Sequence, residues 1–315
     1  MTIQGVPALD TGSDEGFGRR KVREIPLALL LLAPSLLIFG AFVFYPLGKT
    51  FYQGFFRTDP FFGSQENVGF DQYTDVLGSS DFHHSLMITL EFAVITVGLG
   101  LVLGLFLATM AHQRIRGIGV FRTIFSSTVA TSVAVSSLMW LVLFQPSIGV
   151  FNQFLDAVGH EQPIQWLLDE NTALFAVAAT TVWQNLGLTF IILIAGLQGI
   201  PDDLYESARV DGASSWLQFR EITIPMLSPT LLFAGVILSI NAFKSFGQID
   251  LLTEGGPADA TNVVVYSIYQ QAVKSHDSGL ASARAVILFL IILVLSLVQF
   301  TFFERRVHYA GGGAA

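Results

Sequence analysis

Six apolar runs, each about as long as the ~20 residues an α-helix needs to cross a bilayer, limit this chain to one kind of fold. They fall at Ile25–Phe44, Leu86–Met110, Thr123–Phe144, Ala173–Leu197, Pro229–Leu252 and Ala285–Phe303. A backbone in hydrocarbon must satisfy its own N–H and C=O groups, so runs of this length predict helices. Only 13% of the 315 residues are charged, against about 25% in a soluble domain. The expected fold class is therefore all-α and integral to the membrane, with six transmembrane helices. No cysteine is present, which excludes a disulfide framework, an Fe–S cluster and a thiolate zinc site.

The first run follows Arg19, Arg20, Lys21 and Arg23, as the apolar part of a cleaved signal peptide would. It is longer than such a segment and closes on Tyr45-Pro46 without a small-x-small site, so it reads as a retained helix. Residues 1–24 then form a polar tail, 25–309 the membrane domain and 310–315 a flexible end. Six spans put both termini on one side. The tail, residues 113–122, residues 201–225 and the C-terminal end together hold eleven Lys and Arg, whereas the three alternate loops hold Lys49, Arg57, Lys274 and Arg284. By the positive-inside rule both termini and the 201–225 loop are expected in the cytoplasm of a multi-pass plasma-membrane protein. The opposite loops are acidic: 51–85 carries Asp59, Glu66, Asp71, Asp75 and Asp81, and 146–172 carries Asp156, Glu161, Asp169 and Glu170. They read equally as a contact surface for an external protein and as solvated loops. Nucleic acid is not an expected partner.

The loop between the fourth and fifth runs reads PDDLYESARVDGASSWLQFREITIP from Pro201 to Pro225. Pro201 suits a first helical position, and Asp202 and Asp203 suit the positive end of a helix. Leu204, Ala208 and Val210 can form an apolar edge while Glu206, Arg209 and Asp211 stay polar. Gly212 can take φ > 0 and end that helix, Ser214 or Ser215 can cap a second one through Trp216, Leu217 and Phe219, and Pro225 is expected to stop it. The result is two short helices with a corner between them.

Glu206, Ala208 and Gly212, followed by Ile222, Ile224 and Pro225, match the E-A-A-x3-G-x9-I-x-L-P loop, so the chain resembles the permeases of ABC importers. Ser207 stands for the middle Ala and Ile224 for the Leu, both similar in size. The resemblance implies a type I importer permease fold. It also implies that this elbow, through Glu206, Ala208, Asp211, Gly212, Ile222 and Pro225, docks in a groove of a separate ATPase and carries its motion to the membrane helices. Tyr45-Pro46, Val68-Gly69-Phe70-Asp71-Gln72-Tyr73 and Gly255-Gly256-Pro257 with Thr261 resemble the carbohydrate-uptake permeases. Asp59-Pro60-Phe61 and the ending Phe303–Tyr309 resemble the A-type permeases of glycerol-3-phosphate and glycerophosphodiester importers. The partners implied are a second homologous permease, two ATPase subunits and an extracytoplasmic solute-binding protein, besides membrane lipid. ATP and Mg would sit on the ATPases, with no cofactor in this chain. The solute implied is a sugar or polyol phosphate, with glycerol-3-phosphate or a glycerophosphodiester first, and a neutral di- or oligosaccharide as the alternative.

Polar groups at membrane depth are costly and therefore informative. In the fifth run Asn241, Lys244 and Gln248 fall at i, i+3 and i+7, which places them on one helical face that should look into a protein cavity. Lys244 has two readings of equal standing, an ion pair with Glu91 that holds helices together and a contact to an anionic or polyhydroxyl solute. Trp183, Gln184 and Asn185 in the fourth run, with Trp140 in the third, suit a polyol's C–H faces and hydroxyl edges. The amides suit helix–helix hydrogen bonds equally well. Gly100 and Gly104, and the series Thr128, Ser132 and Ser136, sit four apart and suit close helix packing. No H-E-x-x-H or G-x-S-x-G motif occurs. Leu47-Gly48-Lys49-Thr50 lacks the first glycine of a P-loop, Val43 standing there. Nothing supplies an intramembrane enzyme with a nucleophile or an acid–base pair.

Overall fold

A computed structural model describes residues 29–59, 63–113, 116–159 and 162–304. The expected tails, Arg114, Glu161, Pro60-Phe61 and the ending from Arg305 lie outside the described residues. The chain divides into two compact units, residues 1–52 and 53–315. The described part of the first lies in helix α1 (Leu29–Gln53), which runs past the expected end at Phe44. Pro46 has no N–H for the regular ladder, and the turn before it, Gly40–Phe44, is wound as a π-helix in which the Tyr45 N–H reaches Gly40 O.

The second unit opens with an antiparallel hairpin, β1 (Phe56–Thr58) and β2 (Gln65–Asn67), with Arg57 opposite Glu66. Helix α2 (Asp71–Gly78) leads into α3 (Ser80–His112), started by Ser79, whose hydroxyl accepts the Phe82 N–H at 3.4 Å. The 33 residues of α3 span ~50 Å at 1.5 Å per residue. Then come α4 (Ile118–Ala130), α5 (Val133–Leu143), α6 (Val150–Ala157), α7 (Glu170–Gln198) and the short α8 (Asp202–Val210). The chain closes with α9 (Ser215–Phe243), α10 (Gly247–Leu252), α11 (Val264–Tyr269) and α12 (Ser278–Glu304).

The third expected span is not one helix. Helices α4 and α5 meet at 105°, because Thr131 and Ser132 are extended, with ψ of 126° and 154°, and the Ser132 hydroxyl caps α5 by accepting the Val135 N–H at 3.3 Å. Hydroxyl side chains offer the backbone an alternative to the helical ladder, and the stretch Ser126–Ser132 is rich in them. Thr128 and Ser136 therefore lie on different helices, not in one stripe.

Helices α3, α7 and α9 form the centre, and small residues set their spacing. A Cβ on Gly104 would stand 2.5 Å from Thr189 Cγ2, one on Gly196 2.6 Å from Thr230 Oγ1, and one on Gly100 3.2 Å from Leu238 Cδ1, so the glycine pair serves close packing. One apolar cluster gathers Phe82, Phe92, Val177, Ile249 and Tyr266; the other gathers Ala108, Phe190, Leu193, Leu197 and Leu227. Thr109 and His112, at the end of α3, line the same cleft as Leu197 of α7 and Tyr205 of α8. The two long helices therefore run parallel and finish at the α8 end, while the hairpin and the start of α12 lie at the other. There Thr58 Oγ1 accepts the Gly279 N–H at 3.2 Å and meets Ser278 Oγ at 3.2 Å.

A Cβ on Gly279 would fall on the Phe56 carbonyl oxygen, and neither backbone can retreat without opening the hairpin contact. Gly279→Ala is expected to cost about 1–3 kcal/mol, as overpacking does, and to lower the melting temperature of the purified chain by several degrees. An unchanged melting temperature would count against this close approach.

Candidate functional site

Asp202 and Asp203 occupy the first turn of α8, and Pro201 stands just outside it as the capping residue, one position earlier than the sequence suggests. At the far end Gly212 has φ of +78°. The Ala213 N–H bonds to Ala208 O at 2.9 Å and the Gly212 N–H to Arg209 O at 3.1 Å, the paired closure of a Schellman turn. Ser214 then caps α9 through the Leu217 N–H at 3.3 Å.

Pro225 does not stop the second helix. The segment from Ser215 is the first part of the 29-residue α9. The turn Phe219–Thr223 is wound as a π-helix, with the Ile224 N–H on Phe219 O, and Pro225 follows at the start of the next regular turn. This winding lets the helix pass a residue that has no N–H to give. The elbow is thus one short helix bent off the end of a membrane helix. The bend at Gly212 joins α8 directly to α9.

The elbow is fastened at a few points. Tyr205 Oη meets Thr223 Oγ1 at 3.0 Å, Arg209 Nε donates to Tyr205 O at 3.2 Å, and Gln218 Nε2 donates to Ala213 O at 2.9 Å. Tyr205 and Ile222 pack on the Leu193–Leu227 cluster. Glu206 and Asp211 are exposed and Ala208 is half-buried. Of the expected apolar edge, Val210 is 88% exposed, and Trp216 at the start of α9 is 70% exposed. Large side chains left this open at a corner are what an interaction surface presents.

A second constellation lies where α9 ends. The fifth expected span is broken at Lys244–Phe246, so Asn241, Lys244 and Gln248 do not share one helical face. Lys244 is the residue that closes α9, with φ of −99°, and Gln248 belongs to α10. The break still gathers the amides. Gln248 Nε2 donates to Gln184 Oε1 at 2.7 Å, Ser136 Oγ donates to the same oxygen at 3.1 Å, and Gln184 Nε2 reaches Thr131 O, in the α4–α5 bend, at 3.4 Å. Ser245 Oγ donates to Gln248 Oε1 at 3.2 Å and Asn241 Nδ2 to Asn185 Oδ1 at 3.4 Å. Non-helical backbone at membrane depth needs such partners. Gln184 and Asn185 thus make hydrogen bonds between elements, one of the two readings open for them.

Lys244 itself is exposed, as is Glu91, and among the described residues the two form no ion pair; the expected structural pairing is absent. Trp140 meets Trp183 edge-on at 6.1 Å and stacks on Phe151 at 5.7 Å. This aromatic group continues into α6 and the segments flanking it, where the Asn152 amide ties Pro146 O, Ile164 and the Trp166 indole together. Sequence reasoning missed Thr131, Ser136 and Ser245 as members of the amide network. The crowding of hydroxyl residues before Val133 was the available signal. At the hairpin end, Lys274 Nζ donates to Tyr266 Oη at 3.2 Å, and that bond holds the Lys274 pKa above its ordinary value.

Replacing Gln184 by Leu leaves Gln248 and the Thr131 carbonyl unpartnered. The expected loss is about 1 kcal/mol, within the range for a buried polar group stripped of its partner and near the values for interhelical bonds in membranes. Thermal unfolding in detergent reads it, with Gln184→Glu expected to be milder.

Long apolar helices joined by the bent loop at 201–225 fit an ABC importer permease subunit of the type I fold, for which a partner subunit hydrolyses ATP. The chain belongs to the family described as binding-protein-dependent transport system inner membrane component, whose pattern matches residues 100–309. It is 37% identical over 286 residues to the sn-glycerol-3-phosphate transport system permease protein UgpA of Agrobacterium fabrum, covering 90% of this chain and 96% of that one. The protein of the same name from Yersinia enterocolitica is 33% identical, with coverage of 90% and 96%. Among solved structures, a bacterial ABC transporter involved in the import of the acidic polysaccharide alginate matches with a TM-score of 0.79 at 23% identity, covering 92% of this chain and 99% of that one. That likeness is one of fold.

Proposed function

We propose that this subunit carries a sugar- or polyol-phosphate solute, with sn-glycerol-3-phosphate or a glycerophosphodiester as the foremost candidate, and that the Gly212 elbow is its mechanical joint to an ATPase. The observation that carries the joint is the Schellman-bent α8 with Val210 and Trp216 exposed at the corner and Tyr205 bonded to Thr223 of α9. Glu206, Ala208, Asp211, Gly212, Ile222 and Pro225 are its working residues. The eleven Lys and Arg shared by the tail, residues 113–122, the elbow loop and the C-terminal end, against four in the alternate loops, support a cytoplasmic elbow and cytoplasmic termini. Residues 25–309 then act as one permease domain beside a second permease, two ATPase subunits that hold ATP and Mg, and an external binding protein.

The solute reading rests on Lys244, an exposed ammonium at a helix break beside Asn241, Gln248, Gln184 and Asn185, and on relatives named for sn-glycerol-3-phosphate transport. An ammonium open at such a site favours a phosphate, which accepts charge-assisted hydrogen bonds. The aromatic pair Trp140 and Trp183 favours the second reading, a neutral di- or oligosaccharide. ATP hydrolysis by the reconstituted complex decides between them, measured with the binding protein and glycerol-3-phosphate, glycerophosphocholine or a disaccharide. Stimulation by the phosphates alone supports the first reading. Stimulation by the disaccharide alone overturns it.

A further inference from the structure

At the end of the molecule away from the elbow, the hairpin, α2 and the start of α12 enclose a hollow of about 630 Å³. Four carboxylates line it, from Asp59, Glu66, Asp75 and Asp277, against the single guanidinium of Arg57. Arg57 is committed to Asp75, with Nη2 2.5 Å from Oδ2. Asp277 gives one carboxylate oxygen to the Leu280 N–H, at 2.9 Å. The Glu66 side chain makes no hydrogen bond or ion pair among the described residues.

The wall of this hollow holds an independent sign of a ligand. Gln72, on α2, is only 3% exposed, lines the hollow, and its amide has no hydrogen-bond partner among the described residues. The rest of the Gln72 side chain is packed away, so its amide is free to meet a partner only from the hollow. Facing a negatively lined space, its carbonyl offers a further acceptor to whatever donor enters. Among the described residues no three carboxylate or imidazole groups converge closely enough to hold a metal ion. The volume and the dispersed acceptors suit an extended group with several N–H donors.

We propose that the hollow receives a lysine or arginine side chain of the solute-binding protein when it docks. This rests on the importer reading, which puts the hairpin end outside the cell. The acidic hollow steers the encounter, so its loss acts mainly on the association rate and on the salt dependence.

The test is association of the solute-loaded binding protein with the complete transporter in nanodiscs, without nucleotide, at low and high salt. Glu66→Lys is expected to weaken binding about tenfold at low salt, mostly through slower association, and to flatten the salt dependence. Glu66→Gln is expected to have a smaller effect in the same direction, and Gln72→Leu to speed dissociation. Because the Glu66 side chain is exposed and makes no bond among the described residues, its variants should leave the melting temperature of the complex unchanged. Wild-type affinity in Glu66→Lys overturns the proposal and leaves the importer reading intact, as does wild-type binding that a chelator abolishes. A wild-type complex that hydrolyses ATP but binds no solute-loaded binding protein removes both.

Discussion

Substituting Gly212 by valine is expected to cut solute-stimulated ATP hydrolysis of the assembled complex by at least about tenfold while the chain still inserts in the membrane. The cause is conformational, because a Cβ at this position would meet nothing within 4 Å. At φ of +78° an L-residue costs roughly 1–2 kcal/mol, and a β-branched one costs more because its Cγ atoms crowd the backbone. The chain relieves the strain by unwinding the bend, which breaks the paired bonds from Ala213 to Ala208 and from Gly212 to Arg209. The exposed corner at Val210 and Trp216 is then lost as a shaped surface. Gly212→Asn, which tolerates the left-handed region, should retain most activity. Retained ATPase binding with full stimulation in the valine variant would remove the elbow from the mechanism.

Replacing Lys244 by methionine is expected to lower uptake of a phosphate-bearing solute by about 10- to 100-fold, the equivalent of losing a charged hydrogen bond worth roughly 1.5–3 kcal/mol. Assembly should be untouched, since Lys244 is exposed and pairs with no carboxylate among the described residues. A transporter that fails to assemble yet shows normal residual uptake would give Lys244 a structural role. An unchanged rate for a phosphate solute would move the solute reading towards the neutral saccharide.

The elbow was legible because its instructions are local. A glycine where φ must turn positive, a serine where a helix must be capped and aspartates where a helix must start are each decided within a few residues. The spans at α3, α7 and α12 were legible for a similar reason, since length and apolarity suffice to make a membrane helix. The reading failed where two tendencies compete. At Thr131-Ser132 the apolar run continues through a stretch whose hydroxyls can cap a new helix, and the cap prevails because the Gln184 amide donates to the Thr131 carbonyl that the bend frees. At Pro225 the expected stop became a π turn, because the flanking residues pack on the Leu193–Leu227 cluster and hold the helix together.

The order of residues by itself determined that this chain spans a membrane, roughly where, and that a bent segment with the importer motif hangs between its fourth and fifth runs, because burial in hydrocarbon and turn chemistry act over short distances. Tertiary structure alone decided which polar groups meet. Gln184, Gln248 and Ser136 converge only because α9 breaks at Lys244 and α5 folds back at 105°. Those breaks persist because residues some fifty positions apart satisfy the backbone that the breaks expose, a condition that no periodicity along the chain encodes.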